Sequence, residues 1–233
     1  MRIIRASVLV IFLASTQSAA TETIRTQEIN QCRSYELVTW GDGSPDRPAS
    51  SSHIRIAYNH SGAPNWFTEA QTAAIVATAA EAWSQCDLDT KIVPWKRGMA
   101  EQKDLLIIQW SSIESRGNFG LANATQHTLS LGPQAFDLLK KRNPHYDATQ
   151  TLQMTISHEI GHLLGLMAHS RRCVDVMSYY NNSKGDKCYS RDPTYPSGIL
   201  EYRNILPTAC DIERCRKANG KAPLPDGKLI HVP

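Results

Sequence analysis

Two histidines and a glutamate stand close together in "TISHEIGHLLGLMAHSRRCVDVMSYY", residues 155–180. His158 and His162 are four positions apart, so on a helix both imidazoles leave one face a turn apart and can grip a single zinc ion. Glu159 points to one side, where its carboxylate can reach a water on the metal without being a ligand. Zinc lowers the pKa of such a water towards ~7. The carboxylate takes the proton, the oxygen attacks a carbonyl, and the acid returns the proton to a leaving amine. A third donor is needed, and His169 is the candidate, with Cys173, Asp175, His127 and His145 as rivals. On an unbroken helix His169 would sit about 10 Å along the axis from His162, too far for imidazoles each ~2 Å from one ion. The chain must therefore fold back, and Gly165 stands where a left-handed turn would end the helix.

The segment carrying the pair is apolar at Leu152, Ile156, Ile160, Leu163 and Leu164, a helical stripe. A second helix is expected in "NWFTEAQTAAIVATAAEAWSQC". There Thr68 and Gln71 read as a capping box, and Ile75, Val76, Ala79 and Trp83 share a face. "HIRIAY" alternates as a strand does, "TKIVPW" follows, and "DLLIIQW" is apolar on both faces, as in an interior strand. "GNFGLANATQHTLSLG" reads as two short strands with Leu129 and Leu131 on a buried face. "GDGSPDRPASSS" is a turn-rich loop, and "KKRNPHYDAT" a polar connection whose basic run is solvated surface. "PTACDIERCRKANG" gives a last helix with a Thr208/Asp211 cap and Gly220 as its stop. Strand, helix, strands, helix, irregular loop and helix make an α+β order with a mixed twisted sheet.

Arg2 and Arg5 open a basic start, residues 6–14 are apolar, and Ser18 and Ala20 stand where a signal peptidase reads small residues. Residues 1–20 are therefore expected to be a signal peptide. Residues 21–233 are then a single domain, with 21–34 a short N-terminal extension. The 25 Lys and Arg less those two leave 23 basic residues against 22 acidic ones. That balance gives no case for nucleic acid or an anionic membrane as partner. No later stretch is long and apolar enough for a membrane span, and a monomer is expected. Six cysteines, Cys32, Cys86, Cys173, Cys188, Cys210 and Cys215, follow the leader with no CxxC pair. They read as the disulfide framework of a secreted or periplasmic chain. Cys210 and Cys215 fall about 140° apart on the last helix and so should pair elsewhere. Cys188, across the turn after Met177, is the candidate partner of Cys173.

His158, Glu159, His162, Gly165, His169 and Met177 together resemble the signature of the metzincin clan of zinc endopeptidases, especially its matrixin-like and serralysin-like branches. The step from His169 to Met177 is similar to the matrixin interval. "MSY" resembles the serralysin turn, whose tyrosine assists the oxyanion or ligates zinc; Tyr179 holds that place, with Tyr180 as the alternative. One departure is clear. The clan's third histidine usually comes three residues after the glycine, where this chain has Ala168, and His169 is the fourth. A turned-back loop absorbs one extra residue cheaply.

The likeness extends upstream through "FTEAQTAAI", "DLLIIQW" and the strand pair. It implies a metzincin-like fold with an N-terminal subdomain helix, active-site helix, Met-turn and C-terminal helix. It also implies Zn2+ on His158, His162 and His169, catalysis by Glu159 with Tyr179, and Met177 beneath the metal. A protein or peptide substrate would lie along an edge strand at Leu121, Ala122, Asn123, Ala124 and Thr125. "TWGDG" and Cys32 are similar to the aspartate and the cysteine that block the metal in some precursors, although strand-like sequence near Tyr35 leaves little room for a pro-segment. "NNSKGD" is a candidate Ca2+ loop. The expected function is a secreted zinc-dependent endopeptidase. Two other classes use the same residues: a zinc-stabilised binding or adhesion module, which has no need of Glu159, and a zinc hydrolase of non-peptide amides.

Overall fold

A computed structural model describes residues 22–99, 102–179, 184–195 and 201–230. The expected leader, Tyr180 and residues 181–183 of the candidate calcium loop lie outside the described residues. Five strands form one mixed sheet in the order β2-β1-β3-β5-β4. Strands β1 (His53–Asn59), β2 (Asp89–Val93), β3 (Leu105–Trp110) and β5 (Thr128–Leu131) run parallel. β4 (Gly120–Asn123) is antiparallel to β5, with Ala122 opposite Leu129, and forms one edge. β3 lies at the centre, and Leu105, Leu106, Ile108 and Trp110 are all buried, as its two-sided apolar run requires.

Two helices, α2 (Glu69–Ser84) and α4 (Ala148–Leu163), pack on each other beside the sheet. Thr68 caps α2, its hydroxyl accepting from the Gln71 N–H. The apolar stripe of α4 buries Leu152, Ile156 and Ile160. Trp83 of α2 joins the two helices by donating its indole N–H to the Ser157 carbonyl at 2.9 Å. This bond fixes how α4 is rotated, and with it where the His158 and His162 face points.

The fold has elements that local sequence pattern does not announce. α3 (Pro133–Arg142) takes in the first three residues of the stretch expected to be a polar connection, and α4 takes its last two; α3 is anchored by one buried aromatic, Phe136. Its last turn holds Lys140, Lys141 and Arg142, exposed and well placed against the helix dipole. Residues 34–36 form a 3-10 turn where strand-like sequence was expected. The stretch expected to be a short extension carries α1 (Ile24–Asn30). Its buried Glu28 accepts from the Arg191 N–H and from the hydroxyls of Ser190 and Tyr202, while the Arg172 guanidinium donates to the Glu28 carbonyl.

The disulfides are Cys32–Cys210, Cys86–Cys215 and Cys173–Cys188. The first two tie the C-terminal helix α5 (Ala209–Ala218) to different parts of the fold, as the angular separation of its cysteines demanded. Cys32 is thereby committed to Cys210 and is no free blocking thiol. Three disulfides fit an extracellular or periplasmic compartment. Among the described residues no helix is long and apolar enough to cross a membrane. Cys86–Cys215 spans 129 positions and Cys173–Cys188 only 15. Replacing the first pair by serine is expected to cost about 4–5 kcal/mol and the second about 3 kcal/mol. Urea denaturation of both variants checks the order.

Candidate metal centre

α4 carries His158 and His162 on one face, and the chain after it brings His169 back to them. The three ring centroids lie 4.9, 5.2 and 5.0 Å apart, and one donor atom of each ring falls within 4.8 Å of the others. Each Nδ1 has its own partner: the Val176 carbonyl for His158 at 2.7 Å, the Leu166 carbonyl for His162 at 2.6 Å, and Asp42 Oδ2 for His169 at 2.7 Å. With Nδ1–H donated outward, Nε2 of each ring carries the free lone pair. Burial, reinforced by the neighbouring imidazoles, holds His158 well below the ordinary histidine value, and burial also lowers His162 against the opposing pull of Glu159. Three imidazoles that converge with their Nδ1 atoms occupied are a donor set a divalent zinc takes.

The return loop explains how one extra residue fits. Gly165 has φ +104° and donates its N–H to the His162 carbonyl. A Cβ there would lie 1.9 Å from the Arg47 carbonyl oxygen, so no larger residue could make this turn against the 41–49 loop. Asp46 then spans the next stretch, its Oδ1 accepting from the N–H groups of Met167 at 2.9 Å and Ala168 at 3.3 Å. Arg214 of α5 braces both sides, pairing with Asp46 through two nitrogens and donating to the Ala168 carbonyl at 2.7 Å. Asp42 holds the next residue, its Oδ1 accepting the His169 N–H at 3.0 Å and its Oδ2 the imidazole.

The turn after His169 passes beneath α4. Met177 is fully buried, and its sulfur lies where a Cβ on Gly161 would come within 2.3 Å. The Val176 N–H donates to Asp211 Oδ2 of α5, so the carbonyl that holds His158 belongs to a residue tied from both ends. Tyr179 stacks on Trp40 at 5.6 Å, sits 4.7 Å from the His169 ring, and donates its hydroxyl to Asp42 Oδ2 at 2.8 Å. Burial and the Asp42 carboxylate push its phenol up to about 12, so it stays a hydrogen-bond donor. Glu159 is nearly buried, with Oε2 accepting the Ala122 N–H of β4 at 2.8 Å. Burial raises its carboxyl above the ordinary value, while His162 and that N–H oppose the shift.

Among the rival donors, Cys173 is in a disulfide, and Asp175 bonds Arg172, Ser170 and Thr208. His127 sits in the β4–β5 turn, and neither it nor His145 joins the cluster. Of the expected edge-strand residues, Leu121, Ala122 and Asn123 lie in β4, whereas Ala124 and Thr125 fall in the turn because the Asn123 side chain accepts from Thr125 and Gln126 and closes it. Asp42, expected to resemble a metal-blocking group, instead holds the outer nitrogen of His169. Asp46 is a part of the site that sequence pattern did not single out, and Asp211 was read only as a helix cap, not as the brace of Val176. Aspartates in a Gly- and Pro-rich loop and at a helix cap give only local signals.

No protein-family model matches the chain, and no curated protein matches it in sequence. Among solved structures, the GM1-bound form of the ECX AB5 holotoxin is similar at 15% identity and a TM-score of 0.46, over 76% of this chain and 87% of that one. Myroilysin is similar at 13% identity and a TM-score of 0.31, over 63% of this chain, which spans 60% of myroilysin's length. Likenesses this loose say nothing about chemistry.

The close approach of Met177 and Trp83 to Gly161 makes a direct test of the packing. Gly161→Ala should destabilise the protein by about 1–3 kcal/mol through overpacking, measured as a lowered thermal midpoint. An unchanged midpoint would contradict the contact.

Proposed function

We propose that this protein is a zinc-dependent endopeptidase, with Nε2 of His158, His162 and His169 holding the metal. The observation that carries the reading is the convergence of three imidazoles, each with Nδ1 already engaged, beside a glutamate that is itself oriented. A bound zinc would serve as a Lewis acid, polarising both an attacking water and the scissile carbonyl.

The chain's own residues supply the rest. Tethering of Glu159 Oε2 by the Ala122 N–H leaves Oε1 to take a proton from the water and pass it to the leaving amine. A carboxyl raised by burial suits both transfers, because it holds a proton more readily than an exposed one. The Tyr179 hydroxyl, parked on Asp42 next to His169, is a donor within reach of an oxyanion once it turns inward. In an antiparallel pair the N–H and C=O of one residue face the same side. The N–H of Ala122 points to Glu159, so its carbonyl also faces away from β5, where a substrate strand can donate to it.

Digestion of a peptide library by the purified protein should give cleavage that a chelator abolishes and zinc restores. Cleavage indifferent to chelator, or none, would overturn the reading. Glu159→Gln should keep bound zinc while lowering kcat/KM by about 10²–10⁴-fold, so full turnover by this variant would remove Glu159 from the mechanism. Asp42→Asn should weaken zinc affinity by about 10–100-fold, read by competition with a chromogenic chelator. Unaltered affinity would show that the Asp42–His169 bond plays no part in ligation.

A further inference from the structure

A cavity of about 270 Å³ opens beside His162. Its floor is the end of α4, one wall is the 47–50 loop, and the other is the β4–β5 turn with Ala124 and His127. We infer that this cavity is a subsite for an acidic side chain of the substrate and that Arg47 is its specificity-determining residue. The inference rests on the endopeptidase reading above and extends it to a substrate class.

The charge around the cavity points one way. No Asp or Glu lines it. Among the described residues, the Arg47 guanidinium makes no hydrogen bond or ion pair, since only its backbone N–H is engaged, with the Gly165 carbonyl at 3.0 Å. Nearby carboxylates are already taken: Asp46 by Arg214, Asp42 by His169 and Tyr179, and Asp104 by Arg55. The imidazole of His127 is likewise without a hydrogen-bond partner among the described residues. It stands on the opposite wall, in a backbone conformation of φ +52°.

A guanidinium presents a planar fork that fits a carboxylate with two parallel bonds, and a ring N–H can add a third. An apolar or basic side chain entering the same space would desolvate Arg47 without compensation. The Arg47 backbone is held against Gly165, so the side chain extends from a fixed platform.

The position in the substrate follows from an antiparallel seating on β4, which is part of the inference. The tether between Glu159 and Ala122 puts the reacting bond near Ala122. A strand added antiparallel to β4 has its earlier residues opposite the later residues of β4. The side chain that meets Ala124 and the cavity therefore precedes the scissile bond.

The test uses quenched-fluorescent peptides that differ only in Glu, Gln or Lys at the two or three positions before the cleaved bond. Wild-type protein should favour Glu over Gln by about two- to fivefold in kcat/KM, with the ratio shrinking as salt is raised. Arg47→Glu should reverse the order to favour Lys. This exposed side chain has no partner among the described residues, so the variant should fold, which a thermal melt verifies. His127→Asn keeps a residue tolerant of positive φ and should reduce the Glu preference without reversing it. A Glu/Gln ratio identical in wild type and Arg47→Glu overturns the subsite while the endopeptidase function stands. Absence of chelator-sensitive cleavage of every peptide overturns that function and the subsite with it.

Discussion

An acceptor on Nδ1 fixes an imidazole's orientation and favours the form whose Nε2 faces a partner, and three imidazoles are held in that way here around one point. The acceptors come from three places. Val176 lies in the turn beneath α4, Leu166 in the return loop, and Asp42 in a loop more than a hundred residues earlier in the chain. Each acceptor is in turn held. The Val176 peptide is tied to Asp211, the residues after Leu166 hang from Asp46, and Asp42 bonds both the backbone and the ring of His169.

Helix α5 joins these supports without a hydrogen bond of its own to the three histidines. Asp211 braces the turn, Arg214 braces Asp46 and Ala168, and two disulfides fix the helix to the body. Arg214 and Asp211 are both buried: the Arg214 charge costs desolvation that only good pairing offsets, while burial and the nearby Asp175 push the Asp211 carboxyl up to about 7. Their worth lies in geometry: a bidentate Arg214–Asp46 pair admits few arrangements, so the loop it spans has one path. On the opposite side, Gly120 lets β4 approach α4, since a Cβ there would come within 2.4 Å of Thr155 and 3.0 Å of Glu159. Through that approach a strand N–H reaches the glutamate.

Much of the frame is legible from local pattern. The period of Leu152, Ile156 and Ile160 marks α4, Thr68 marks the start of α2, and the alternation near Leu129 marks the strand pair. Gly165 stands where the stripe predicts a left-handed stop, and its positive φ makes it one. The pairing of Cys210 and Cys215 with distant partners follows from their angular separation on one helix. Elements anchored by a single buried residue stay out of reach: α3 rests on Phe136, and α1 on Glu28, whose burial depends on Arg191, Ser190 and Tyr202.

What the sequence by itself determined is the spacing of His158, Glu159 and His162 and the turn that must come after them, because helix periodicity and glycine's freedom act within a few residues. Tertiary structure alone decided how His169 reaches them. Its extra residue is carried by Asp46, Asp42 and Arg214, and the bonds between these groups close over sequence separations of 121 to 168. No local rule encodes such pairs. An aspartate in a turn satisfies its own backbone equally well in many folds, and only the packed chain selects which distant N–H it receives.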